Sequence, residues 1–204
     1  MRRLLLLSSL AAVVGLVPAG AAAAKPPGRN APSFSLEQNA ALVHPGDHSS
    51  TAVQLTTTES PYTWGAVDLS IPSGMRLSQL NNLATDYRFS LGSCWGGSPR
   101  FEAWVTDPSG DTEKIFFYVG SPPDYTGCAM GVWTDTGNLA TPSSVVDDTE
   151  VGGGPYDSYS NAQANYGTYP LTAVWLDADG GWDGDQTVEF DNSQVNNELF
   201  TYGQ

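Results

Sequence analysis

Cysteine, histidine and lysine are the scarcest chemistry-bearing residues of this 204-residue chain, with two of each; the cysteines are Cys94 and Cys128, and the histidines His44 and His48 share one early turn. Two cysteines 34 positions apart, with both histidines well upstream, match no zinc-ligand spacing. No G-x-S-x-G is present, and serine-nucleophile chemistry has no histidine outside that early turn to draw on. Basic residues are few as well, eight against 22 acidic ones, for a formal net charge of −14. Such a chain is repelled by nucleic acid and by anionic membrane surfaces, and it lacks a phosphate-cradling glycine loop and a basic aromatic stripe. Neutral or cationic partners and divalent cations stay open, beside the plain reading of a solvated acidic surface. Only residues 4–17 form a long apolar run, and that run is too short for a membrane span.

The same run is flanked by Arg2 and Arg3 and by the small residues Ala22, Ala23 and Ala24. Residues 1–24 therefore read as a secretory signal peptide, which predicts a secreted, extracellular protein with no membrane span. Residues 25–33, rich in proline and small or basic side chains, read as a flexible leader. Residues 34–204 remain for one domain, long enough to bury a sizeable core.

Within that domain a period of two recurs. Val53 and Leu55 alternate with Gln54 and Thr56; Val67, Leu69 and Ile71 alternate with Asp68 and Ser70, with Trp64 on the outward side; Tyr87, Phe89 and Leu91 alternate with Asp86, Arg88 and Ser90. Residues two apart share a face of a strand, so these are half-buried antiparallel strands. Leu77, Leu80 and Leu83 suggest a single helical turn. Residues 171–176 are expected to form a strand covered on both faces, ending at a turn rich in aspartate, and residues 187–195 a further strand with Val188 and Phe190 inward. Residues 120–154 read as a loose surface segment, and residues 156–166 as the one short helix, ended by Gly167. About eight strands and one helix predict an all-β fold, an antiparallel β-sandwich.

Residues 94–128 stand out. Phe101, Ala103, Val105, Ile115, Phe117 and Val119 form the apolar face of a hairpin, while Arg100, Glu102, Trp104, Lys114, Phe116 and Tyr118 form the other. In an exported chain Cys94 and Cys128 most simply form one disulfide, closing a loop worth about 3–4 kcal/mol on a chain-entropy model. The second face mixes flat rings, which suit the apolar faces of sugars, with charges that hydrogen-bond hydroxyls. Two readings stand: an exposed ligand surface, or a second small core beneath residues 120–155.

The stretch PLTAVWLDADGGWDGDQTVEFDNSQVN resembles the end of jelly-roll carbohydrate-binding modules, through its Asp-Gly-Gly-Trp turn and the Asp191-Asn192 pair of its closing strand. Residues 87–128 also look like a pattern of uncharacterised secreted bacterial proteins. The first resemblance implies a β-sandwich of jelly-roll type, aromatic side chains that stack on sugar rings, and commonly a structural calcium ion. Asp177, Asp179, Asp183 and Asp185 offer four carboxylates for calcium, although the EF-hand order fails because Phe190 stands where a closing glutamate belongs. The expected function is non-catalytic binding of a glycan or cell-wall polysaccharide by a monomer, through Trp104, Phe116, Tyr118, Arg100, Glu102 and Lys114. The alternatives are a glycoside-active enzyme with paired carboxylates such as Glu102 and Glu189, or a structural or adhesive protein.

Overall fold

In a computed structural model the described residues are 32–181 and 184–203. The expected signal peptide, nearly all of the leader, Trp182 and Asp183 lie outside them. Thirteen strands follow in chain order: β1 (Phe34–Gln38), β2 (Ala40–Val43), β3 (Ala52–Thr57), β4 (Trp64–Leu69), β5 (Leu83–Leu91), β6 (Arg100–Thr106), β7 (Thr112–Tyr118), β8 (Thr134–Asp135), β9 (Val145–Val146), β10 (Asp157–Ser158), β11 (Leu171–Asp179), β12 (Gln186–Val195) and β13 (Glu198–Phe200). One helix, α1 (Tyr159–Tyr166), stands between β10 and β11.

The strands form a β-sandwich. One sheet has the order β1-β4-β11-β6-β7, and the other β2-β3-β12-β5-β8, with β13 added to β12; every pairing is antiparallel. The period of two explains the packing. Val67, Leu69, Phe101, Val105, Ile115, Phe117, Val174 and Leu176 point inward from the first sheet and are buried against Val53, Leu55, Phe89, Val188 and Phe190 of the second. Each such side chain stabilises the fold by about 1.5–3 kcal/mol relative to exposure. The leucine triplet closes one end of this core: a 3-10 turn at Leu77–Gln79 buries Leu77, Leu80 and Leu83 completely. Helix α1 packs there, with Ser158 accepting from the Asn161 N–H as its cap and the Tyr159 hydroxyl donating to the carbonyls of Leu77 and Leu80.

Three local expectations change, and one contribution to the core was not foreseen. Strand β11 does not stop before Asp177 but runs to Asp179, and only one of its faces is apolar. Asp177 and Asp179 stay in the strand because Arg100, on neighbouring β6, compensates both. Leu91, expected inward, is half exposed because a bulge in β5 pairs it with the outward Thr187 of β12 while Phe89 pairs with the inward Val188. Residues 120–154 lie mostly at the surface, as expected, but are tied down rather than loose: Asp148 is fully buried, its Oδ1 accepting from the Gly154 N–H, and Asp147 exchanges both backbone hydrogen bonds with Phe116 on the free edge of β7. An edge strand with unpaired N–H and C=O groups recruits such partners. Finally, the chain end contributes to the core, where Phe200 and Tyr202 are buried and the Tyr202 hydroxyl donates to Ser193 Oγ.

Candidate functional site

Alternation and register together build one aromatic and charged face on the first sheet. With Phe101, Ala103 and Val105 inward, β6 turns Arg100, Glu102 and Trp104 outward; β7 does the same with Lys114, Phe116 and Tyr118. Across this hairpin Arg100 faces Tyr118, Glu102 faces Phe116 and Trp104 faces Lys114. On the other side of β6, β11 sets Asp177 opposite Arg100 and Trp175 opposite Glu102. Beyond β11, β4 sets Trp64 opposite Asp179. Directly opposed side chains lie within about 4.5–5.5 Å at Cβ, so these residues must interact.

Most of them line a half-open cavity of about 320 Å³. Its aromatic walls are Trp64, Trp104 and Trp175, with Tyr62 from the β3–β4 connection, and its polar lining is Arg100, Glu102, Lys114, Asp177 and Asp179. Trp64 and Trp175 stack with ring centroids 6.1 Å apart, and Trp104 and Trp175 meet at 4.8 Å with their planes tilted by 40°. The Lys114 ammonium lies 4.6 Å from the Trp104 ring centroid, a cation–π contact.

Arg100 is the hub of the polar part. Its Nη2 is 3.1 Å from Glu102 Oε1, 3.0 Å from Asp177 Oδ2 and 2.7 Å from Asp179 Oδ2, while Nη1 donates to the Gly97 carbonyl at 3.1 Å. Burial by itself would lower the pKa of this guanidinium, but Asp177, Asp179 and Glu102 outweigh it and hold the charge more firmly than usual. Glu102 Oε2 accepts from Trp104 Nε1 at 3.1 Å and pairs with Lys114 Nζ at 3.3 Å, so both of its oxygens are occupied.

Asp177 is different. It is only 5% exposed, and its Oδ2 is buried without a hydrogen bond, since the contact with Arg100 has the distance of an ion pair but not the alignment of a hydrogen bond. Burial pushes its carboxyl up to about 7; Arg100 and Lys114 oppose the rise, and Glu102 and Asp179 add to it. The Tyr62 hydroxyl at the rim is also pushed up, by burial and then by Asp179 and Asp177.

The six hairpin residues named from the sequence thus divide. Arg100, Glu102, Trp104 and Lys114 line the cavity, whereas Phe116 and Tyr118 are engaged by the segment after β7. The Tyr118 hydroxyl donates to Asp147 Oδ2 at 3.0 Å, its ring meets Tyr125 at a centroid distance of 3.8 Å, and Tyr125 in turn stacks with Tyr156 at 6.0 Å. The Cys94–Cys128 disulfide is formed and ties the approach to β6 to this same segment. Gly120 lets the segment fold back, because a Cβ there would sit 1.9 Å from the Tyr125 carbonyl oxygen.

Of the four carboxylates proposed for calcium, three lie among the described residues. Asp177 and Asp179 already share a cation, the Arg100 guanidinium, while Asp185 Oδ1 accepts from the Glu59 N–H; Asp183 lies outside the described residues. Among the described residues no group of three or more His, Cys, Asp or Glu side chains is placed to hold a metal. Glu102 and Glu189 cannot act as a pair, because they occupy different sheets: Glu189 lies on β12, bound by Arg88 on β5 and near Gln54 on β3.

Tyr62, Trp64 and Trp175 enter the site without having been singled out. Trp64 falls on the outward side of its strand by simple alternation. The series Trp175, Asp177, Asp179 against Val174, Leu176, Ala178 carried the same signal for β11. Comparison with protein-family models, with curated proteins and with solved structures found no match to this chain.

Proposed function

We propose that this protein is an extracellular, non-catalytic carbohydrate-binding domain whose ligand enters the cavity between Trp64, Trp104 and Trp175. The observation that carries this reading is the combination of three indoles on adjacent strands with a floor of fixed hydrogen-bonding groups. Flat rings take up the apolar faces of a sugar, and the charged lining meets its hydroxyls. About 320 Å³ lies at the lower end of the range for small-molecule sites, which suits one or two sugar units at a time. Arg100, Glu102 and Asp179 are held by one another, so little ordering is required when a ligand arrives. The extracellular setting draws on the signal-like start of the chain and on the disulfide; in addition, no helix among the described residues is long and apolar enough to cross a membrane.

The test is titration with a panel of soluble oligosaccharides, followed by tryptophan fluorescence, since three of the five tryptophans among the described residues lie at the cavity. Trp104→Ala and Trp175→Ala should each weaken binding about tenfold or more, from lost stacking and buried area. Trp133→Ala, which removes a ring packed under Arg88 on β5 of the other sheet, should bind as the unmodified protein does. Failure of every oligosaccharide to bind, with the fold intact by circular dichroism, would remove the proposal.

A further inference from the structure

We infer that Tyr62 is a ligand-contacting residue of the cavity, and that Asp185, from the connection between β11 and β12, is the positioning residue that presents it. This rests on the carbohydrate reading and adds to it a fourth aromatic contact, carried by a loop where the three indoles are carried by strands.

Tyr62 lines the cavity and is 57% exposed. Among the described residues its ring meets no other aromatic ring and its hydroxyl has no hydrogen-bond partner. Tyr156 is 56% exposed, yet its ring stacks with Tyr125 and its hydroxyl donates to the Pro123 carbonyl. The chain thus uses the Tyr156 side chain for its own packing and leaves that of Tyr62 unused. An exposed ring with no internal partner, standing at the rim of an aromatic cavity, is placed to stack on what enters. Its hydroxyl, kept protonated by partial burial and by Asp179 and Asp177 across the cavity, remains a donor for a sugar hydroxyl.

The loop beneath this ring is held firmly. Between β3 and β4 the Thr63 N–H donates to the Thr58 carbonyl at 2.9 Å, the Thr58 N–H to Thr63 Oγ1 at 2.7 Å, and Thr58 Oγ1 to the Pro61 carbonyl at 2.6 Å. Two more bonds tie this loop to the end of β11 and the start of β12. The Gly180 N–H donates to the Thr63 carbonyl at 3.1 Å, and the Glu59 N–H donates to Asp185 Oδ1 at 3.1 Å. Gly180 permits the approach, because a Cβ there would sit 2.1 Å from the Thr58 carbonyl oxygen; a Cβ at Gly181 would press on the Tyr62 ring, 3.3 Å from Cε2. A ring on a loop already ordered loses little freedom when it binds.

The glycines and Asp185, which the sequence offered as a calcium turn, therefore serve as the seat of the Tyr62 loop. Of the two ties between them, only the Asp185 bond is made by a side chain. Removing it leaves the Gly180–Thr63 bond and the sheet pairings in place and loosens the part of the loop that carries Tyr62.

The experiment titrates cellotetraose, mannotetraose and the N-acetylglucosamine tetramer by calorimetry into the unmodified protein, Tyr62→Ala, Asp185→Ala, Asp185→Asn and the double variant Tyr62→Ala with Asp185→Ala. If none of the three binds the unmodified protein, a binder from the wider panel takes their place. Tyr62→Ala should weaken binding about tenfold. Asp185→Ala should weaken it about threefold or more, and Asp185→Asn, which keeps an acceptor oxygen, should stay within about twofold of the unmodified protein. A positioning residue acts only through the residue it positions, so Asp185→Ala should have no further effect once Tyr62 is alanine. Amide hydrogen exchange at Glu59 should quicken in Asp185→Ala and not in Asp185→Asn, with or without sugar. Unchanged affinity in Tyr62→Ala overturns the inference and leaves the carbohydrate reading standing. A loss in Asp185→Ala that persists in the Tyr62→Ala background, or failure of Asp185→Ala to fold, makes Asp185 a structural residue and overturns its positioning role. Absence of binding across the whole panel removes the carbohydrate reading and the inference with it.

Discussion

Replacing Asp177 by asparagine should make the protein more stable at pH 8 and leave it nearly unchanged at pH 4. The carboxyl titrates near 3.8 in an unfolded chain and near 7 in the folded one. A group whose folded pKa is raised favours folding in its protonated form; that contribution is complete below about pH 4 and is lost as pH rises through 7. Above 7 the buried carboxylate opposes folding by on the order of 4 kcal/mol, taking about 1.4 kcal/mol for each pKa unit. Asparagine has the same shape and no charge, and Arg100 keeps Glu102 and Asp179 as partners. The value near 7 already includes the attraction to Arg100, so the gain at pH 8 is expected to be up to about 4 kcal/mol. For a domain of this size that is at most about 8–16 °C in the thermal midpoint. Melts followed by far-ultraviolet circular dichroism at pH 4, 6 and 8 supply the readout. A variant less stable than the parent at pH 8, or a difference that does not change between pH 4 and 8, would refute the reasoning, because either would mean that Arg100 fully compensates Asp177.

Arg100→Met should act with the opposite sign, costing about 3–5 kcal/mol at pH 8 because three buried or nearly buried carboxylates lose their shared cation, and less at pH 4, where they are more readily neutralised; urea unfolding at the two pH values measures both numbers. Converting Cys94 and Cys128 to serine should lower stability by about 3–4 kcal/mol, the loop-closure value for a separation of 34 residues, and should free the Tyr125 segment, which near-ultraviolet circular dichroism of the Tyr118–Tyr125 pair would register.

How far the sequence reached depends on the range of the contact. Hairpin β6–β7 is local, and period two alone put Trp104, Glu102 and Arg100 on one face and Phe101, Ala103 and Val105 on the other, as found. The sandwich itself follows from the repeated alternation, and the short helix from tyrosine and alanine spacing before Gly167. What the sequence withheld is which strand lies beside which. Trp64, Trp104 and Trp175 are separated by at least 40 positions, and only the order β4-β11-β6 makes them neighbours. The same order explains the misplaced turn at Asp177. Aspartate is a poor strand residue and a good turn residue by itself, so a local reading ends β11 too early. Arg100 is 77 residues upstream, and it reverses that preference by supplying the charge that lets Asp177 and Asp179 remain in the pleat. The compensation is incomplete, however: three acids share Arg100, and one buried oxygen of Asp177 goes without a hydrogen bond. A sheet built only for stability would place a neutral side chain there. The cost of ionising that carboxyl is the quantity that the Asp177→Asn melts at pH 4 and 8 measure.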